Sequence, residues 1–380
     1  MNIDNRTLGA CLGLGAVGLL ILGVQPLLYG IYVRDELITE PQLGLLAAVE
    51  VASIAVGSAL GVKLSEHLRP KWIAVMGAAI YTVGNLIPAD IPILVARPIA
   101  GLGGGLLVSL AALAIAQRAD LNRAAALFLF LQATSQYAVL QWFSGVQTAE
   151  TAGDVQTVFV VLTIGALFLF LPFMPHGFFN HQLEGSTRET PPPSPTGLIA
   201  LLAAGVFVGG TISIWAYLGL WLDASGSNSE RAAHMLTICL AGQVVGALLA
   251  AGFGSRGRYG RRIVVMSSLV LASVFGLLVT DASGYSGWAL IIVFGVSWLI
   301  VLLAITGFLE EVDPARGSVP YAAAAQLAGA ALFPTLLGYT FAGRNLDHVL
   351  IAGTGTILLS VTLVAALLCL RAREIFSRSH

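Results

Sequence analysis

The stretch Gly185–Thr196 reads GSTRETPPPSPT, and it divides twelve apolar runs of membrane-spanning length six and six. Proline cannot continue a helix and favours an extended, semi-rigid spacer, so this segment reads as a tether between two halves. Working outward, the runs before it cover 8–31, 41–63, 71–88, 91–117, 123–146 and 155–174. Those after it cover 197–221, 231–253, 262–280, 286–309, 317–341 and 347–370. Each approaches the roughly 20 apolar residues that cross a hydrocarbon core about 30 Å thick. A helix satisfies its own backbone hydrogen bonds in lipid, and few segments alternate as a transmembrane barrel requires. The predicted fold is therefore an all-α integral membrane protein. Residues 1–184 form an N-terminal six-helix bundle, 185–196 a cytoplasmic linker and 197–380 a C-terminal six-helix bundle.

Composition agrees. Hydrophobic residues make up 57% of the chain and charged residues 10%, with a mean hydropathy of +0.87, whereas soluble domains carry about 25% charged residues. The net charge of −1 matters less than where the cations fall. With the N-terminus in the cytoplasm, that side holds Arg6, Lys63, Arg69, Lys71, Arg118, Arg123, Arg188, Arg256, Arg258, Arg261, Arg262, Arg316, Arg371, Arg373 and Arg378. The other side holds only Arg34, Arg231 and Arg344, and Arg97 falls within a span. Fifteen against three fixes both termini in the cytoplasm of a cell bounded by this inner (plasma) membrane. Trp72, Trp142, Trp221 and Trp288 fall at span ends, where an interfacial belt is expected. No cleavable signal pattern accompanies the first span, so it reads as a retained helix. Cys11, Cys239 and Cys369 sit in apolar runs without metal-ligand spacing.

The halves echo each other. Asp120-Leu-Asn-Arg123 before span 5 recurs 193 residues later as Asp313-Pro-Ala-Arg316 before span 11. Gln132 and Gln326 follow those arginines by nine and ten residues. Val56–Leu60 in span 2 is matched by Val245–Leu249 in span 8, and a basic loop follows each. Parallel six-helix repeats put a binding site at the repeat interface, near mid-membrane.

On these features the chain resembles the major facilitator superfamily of secondary transporters. That family's loop between helices 2 and 3 reads roughly G-x-L-A-D-R-x-G-R-K. Val62–Lys71, VKLSEHLRPK, matches it at Leu64, Glu66 and Lys71, with Val62, His67 and Arg69 departing. The counterpart Phe253–Arg262, FGSRGRYGRR, matches at Arg258, Gly260, Arg261 and Arg262, with Gly257 at the acidic position. Arg97–Gly105, RPIAGLGGG, fits the family's helix 4 pattern R-x-x-x-G-x-G-x-G. Leu127–Gly145 lacks the proline-glycine signature of proton-driven drug exporters. The resemblance implies gating by Glu66, Arg258 and Arg261, with Glu66 latching onto the N-terminus of span 11 in one state.

Glu50 interrupts span 2 about nine residues from its external end, roughly 13 Å deep at 1.5 Å per residue. Arg97 lies about six residues into span 4, roughly 9 Å deep. Intramembrane charges cost about 2.5–3.5 kcal/mol on insertion scales and normally face a cavity or a partner. Glu50 is therefore expected to be the proton-coupling carboxylate, with Arg97 as counter-charge or as anchor for an anionic substrate. A fixed pair that only locks two helices is the alternative. Candidate substrate contacts are Gln25, Tyr29, Gln132, Gln136, Trp215, Gln243, Trp298 and Gln326, with Tyr32 and Tyr217 nearby in sequence. Interhelical hydrogen bonding or packing explains each of these about as well. Pro26 and Pro334 can kink their helices. Gly101, Gly103, Gly104 and Gly105 let backbones approach, and their apolar context excludes a phosphate loop.

The expected function is secondary active transport of a small organic solute by alternating access, coupled to protons, with import symport preferred. A proton-driven efflux antiporter and a non-transporting assembly factor or sensor of the same fold are the alternatives. No nucleophile-base pair or metal-ligand cluster marks an enzyme, and no ATP-binding motif is present. The expected partners are a small-molecule substrate, protons and the lipid bilayer, with no nucleic acid, cofactor or metal, and the chain acts as a monomer.

Overall fold

A computed structural model describes residues 4–87, 91–118, 120–145, 151–175, 192–252, 258–280, 284–315 and 317–378. By internal contacts the chain divides into two compact units, Met1–Thr187 and Arg188–His380. Residues 185–191 of the expected linker lie outside the described residues, as do Arg188, Arg256, Gly257 and Arg316. No strand occurs among the described residues.

The first unit holds α1 (Asn5–Gly18), α2 (Leu20–Arg34), α3 (Glu40–Leu64), α4 (Pro70–Leu86), α5 (Ile93–Ala116), α6 (Leu121–Gly145) and α7 (Ala152–Phe170). The second holds α8 (Pro195–Ala224), α9 (Ser229–Gly252), α10 (Tyr259–Val279), α11 (Tyr285–Val312), α12 (Ala322–Leu337) and α13 (Leu346–Arg378). Since α1 and α2 together make one span, each unit carries six. Ten of the twelve are long and apolar enough to cross a membrane. The 17-residue α4 and the 25-residue α6 occupy the other two positions. Apolar side chains such as Val161, Phe168 and Leu169 on α7 stay exposed, which lipid tolerates and water does not.

The main differences from the sequence reading lie in spans 1, 11 and 12. The expected span 8–31 is broken at Leu19, whose carbonyl accepts a hydrogen bond from Gln136 Nε2 at 2.7 Å. A side chain bonded into the ladder interrupts a helix in this way. Span 11 starts at Ala322 rather than 317, after a short 3-10 turn at Val319–Tyr321. Beyond Pro334, which has no N–H to give, its ladder widens into a π turn at Gly338–Ala342. The last helix runs on to Arg378 instead of ending at 370.

Lipid supplies no hydrophobic drive between helices, so packing depends on small residues. The glycines of α5 show how. A methyl group on Gly101 or Gly105 would strike α3, one on Gly103 would strike α4, and one on Gly104 would strike the Gly18 carbonyl of α1. In the second unit Gly205 faces α12, Gly210 faces α13, and Gly242 and Gly246 face α11. Helix partners recur in order. The contacts α3–α5, α4–α5 and α4–α7 of the first unit have counterparts in α9–α11, α10–α11 and α10–α13 of the second.

Candidate functional site

Glycine at position 101 brings the α3 backbone at Glu50 against α5, one turn past Arg97. The two charged side chains meet there, and both are fully buried. Arg97 donates from Nε to Glu50 Oε2 at 3.1 Å and from Nη2 to Glu50 Oε1. Its Nη1 donates to Asn85 Oδ1 at 2.8 Å, and Asn85 Nδ2 donates to the Tyr81 carbonyl at 2.8 Å. Gly84 lets α4 approach Ala100 closely enough for Asn85 to reach Arg97. Tyr29 on α2 donates its hydroxyl to Glu50 Oε2. Tyr29 and Tyr32 stack with ring centroids 6.2 Å apart, and Gln156 Nε2 on α7 donates to Tyr32 Oη at 3.0 Å.

Four helices thus converge on one neutralised charge pair. Removing either partner from such a pair typically costs about 3–5 kcal/mol, because the other charge is left buried and alone. Among the described residues of this unit, the Gln25 amide, at both its atoms, the Tyr81 hydroxyl and Gln117 Oε1 are buried without a hydrogen-bond partner.

The other expected contacts divide. Gln136 is buried and its Nε2 is committed to the Leu19 carbonyl, while Gln132, one turn earlier on α6, is half-buried. In the second unit Trp215 and Trp298 meet at 5.9 Å and Phe294 joins Trp298 at 5.6 Å. Trp298 is buried, and its Nε1 has no acceptor. Gln243 is buried on α9 and Gln326 half-buried on α12. Trp221, near the end of α8, is buried, and its Nε1 donates to Asp347 Oδ1 at 2.7 Å.

Of the expected gating residues, Glu66 is exposed in the turn after α3 and Arg261 is exposed at the start of α10. Arg258 precedes α10 with φ 103°, a left-handed conformation. Its backbone N–H donates to Glu311 Oε1 at 2.7 Å, as does that of Tyr259 at 3.1 Å, and Gly260 N–H donates to Glu311 Oε2 at 3.3 Å. The carboxylate at the end of α11 therefore caps the positive N-terminus of α10. Sequence reading missed Glu311, Asn85, Tyr81 and Gln156. Asn85 lies three residues from the end of an expected span, where a polar side chain is ordinary.

No curated protein matches this sequence significantly. Among solved structures, the nucleoside transporter NupG superposes with a TM-score of 0.73 at 13% identity, covering 96% of this chain and 99% of that one. A D-xylose-proton symporter gives 0.67 at 16% identity, covering 96% and 95%. A bacterial homologue of the human lysosomal transporter Spinster, in an inward-facing and occupied conformation, gives 0.63 at 14% identity, covering 96% of each chain. At these identities the likeness is one of fold. The sequence model of the Major Facilitator Superfamily, however, matches residues 8–334, and this multi-pass membrane protein belongs to that superfamily of transporters.

Proposed function

We propose that the protein is a proton-coupled secondary transporter that takes up a small organic solute by alternating access, as a monomer in the inner (plasma) membrane with both termini in the cytoplasm. One observation carries this reading: a carboxylate and a guanidinium, fully buried in the first unit, are held by groups from α2 and α4 as well as by each other. A buried carboxylate whose partner can be kept in place by other groups is suited to gaining and losing a proton. Glu50 is the coupling group in this account, Arg97 its counter-charge and Tyr29 the hydroxyl that orients it. Gln25, on the same helix as Tyr29, offers an unsatisfied polar group for the solute. The cation distribution supports the orientation. Gating by Glu66, Arg258 and Arg261 rests on their family motif alone.

The test begins with a thermal-shift screen of sugars, organic acids, amino acids, aromatics and cationic drugs, followed by flux of any hit in proteoliposomes. In the Glu50→Gln variant, accumulation driven by a proton gradient should vanish while solute exchange persists. Unchanged gradient-driven accumulation removes Glu50 from the mechanism and leaves the pair as a lock between α3 and α5.

A further inference from the structure

The geometry of the pair also bears on the chemistry of the solute, given the reading of Glu50 as the coupling carboxylate. Arg97 is held on two sides. Its Nε and Nη2 face the carboxylate of Glu50, while its Nη1 is retained by Asn85, which is itself fixed to the Tyr81 carbonyl. Protonating Glu50 weakens the first side and leaves the second intact. The guanidinium then stays buried, charged and anchored to α4, with its Nε–Nη2 edge short of an anion. That edge is the fork that takes a carboxylate through two parallel hydrogen bonds.

Charge selects among solutes. Glu50, Arg97 and Asp313 are the only buried charged side chains among the described residues, and Asp313 lies beyond the end of α11. Among the described residues of the membrane-spanning helices, a cationic solute would find no second buried carboxylate, because Glu50 is either paired with Arg97 or protonated. A neutral solute would leave Arg97 uncompensated. A monoanion restores neutrality. Neighbouring groups suit a small organic acid. Gln25 stands one turn before Tyr29 on the same face of α2, with both amide atoms unsatisfied. Tyr29 and Tyr32, stacked and both fully buried, add aromatic rings beside the pair.

We infer that the solute is a small monocarboxylate that travels with one proton, its carboxylate taking the Nε–Nη2 edge of Arg97 as Glu50 is protonated. The balance is simple. The empty site holds one negative and one positive side chain, and the loaded site holds a neutral Glu50, a positive Arg97 and one anion. One proton and one anion cross together, so no net charge moves. The titratable groups facing Glu50 are Tyr29 from α2 and Arg97 from α5, with the phenols of Tyr32 and Tyr81 acting on both charges.

Benzoate and benzamide, which share a ring and differ in charge, are the probes. In detergent-solubilised wild type, benzoate should bind more tightly as the pH falls, by up to about tenfold per pH unit, the signature of one proton taken up per anion bound. Calorimetry in buffers of different ionisation enthalpy should count that proton directly. Benzamide should bind more weakly, without pH dependence. Glu50→Gln, which makes that position permanently neutral, should bind benzoate with no pH dependence, and adding Arg97→Gln should abolish the binding. Benzamide binding as tightly as benzoate overturns the proposal. So does a flat benzoate affinity in wild type, or the absence of benzoate binding to monodisperse wild-type protein. Should Glu50→Gln not fold, the wild-type pH series decides alone. Coupling itself is tested separately, by gradient-driven flux of a screened solute, so a failed benzoate series with intact Glu50-dependent flux discards the monocarboxylate and retains the coupling.

Discussion

Arg97→Gln strands Glu50 in the interior of the first unit, and the expected loss is about 3–5 kcal/mol. Replacing both members with apolar residues of similar volume (Glu50→Leu with Arg97→Met) should recover most of that loss, because a buried pair and a well-packed apolar pair are often close in stability. Thermal unfolding in detergent reads both, and the double variant should remain stable yet transport nothing. Outside the membrane, Asp313 offers a pH-dependent test. Burial alone would raise its pKa, but hydrogen bonds from Ser318 and Ser194 outweigh burial and hold the carboxyl below the usual carboxylate range. A carboxyl depressed in the folded state contributes stability above its unfolded value, and that contribution disappears as pH falls through the folded value. Asp313→Asn should therefore destabilise the protein at neutral pH and much less in strong acid. Glu50 and Arg97 were legible because a charge inside an apolar run costs too much to be incidental. Asn85 and Gln156 were not, since polar residues near span ends are ordinary, and only the packing of α4 and α7 turns them toward the pair.

Elements obey the same logic on a longer scale. Gln136 bridges α6 to the break between α1 and α2, so Gln136→Leu leaves the Leu19 carbonyl without that bond. A cost of about 1–3 kcal/mol is expected, with faster amide hydrogen exchange around Leu19–Leu22. The glycines of α5 allow still less change. Gly104 and Gly18 are in backbone contact, so Gly104→Val should prevent close packing of α1 on α5 and sharply reduce the yield of folded protein. Sequence periodicity located the spans because length and apolarity set them. It placed the weak point of span 1 only loosely, at Pro26, because the actual break depends on a glutamine 117 residues away. The π turn in α12 was equally hidden, though Pro334 marked the helix that carries it.

At the scale of the molecule, the twelve runs and the division into two similar halves were readable from hydropathy and spacing. The second unit repeats the helix partnerships of the first although few residues repeat, because backbone packing conserves positions for small side chains rather than identities. Fold alone does not select a solute, and neither do the neighbouring structures. The orientation has its own test: reporter fusions at both termini should be active only on the cytoplasmic side, and a periplasmic signal from either end contradicts the cation-based topology. For the central claim, that Glu50 in its pair with Arg97 binds and releases the coupling proton, infrared difference spectroscopy across pH is the most direct measurement. The account predicts a protonated-carboxyl band that grows on acidification within the pH range of transport and is missing from Glu50→Gln. A Glu50 that stays ionised throughout that range contradicts it.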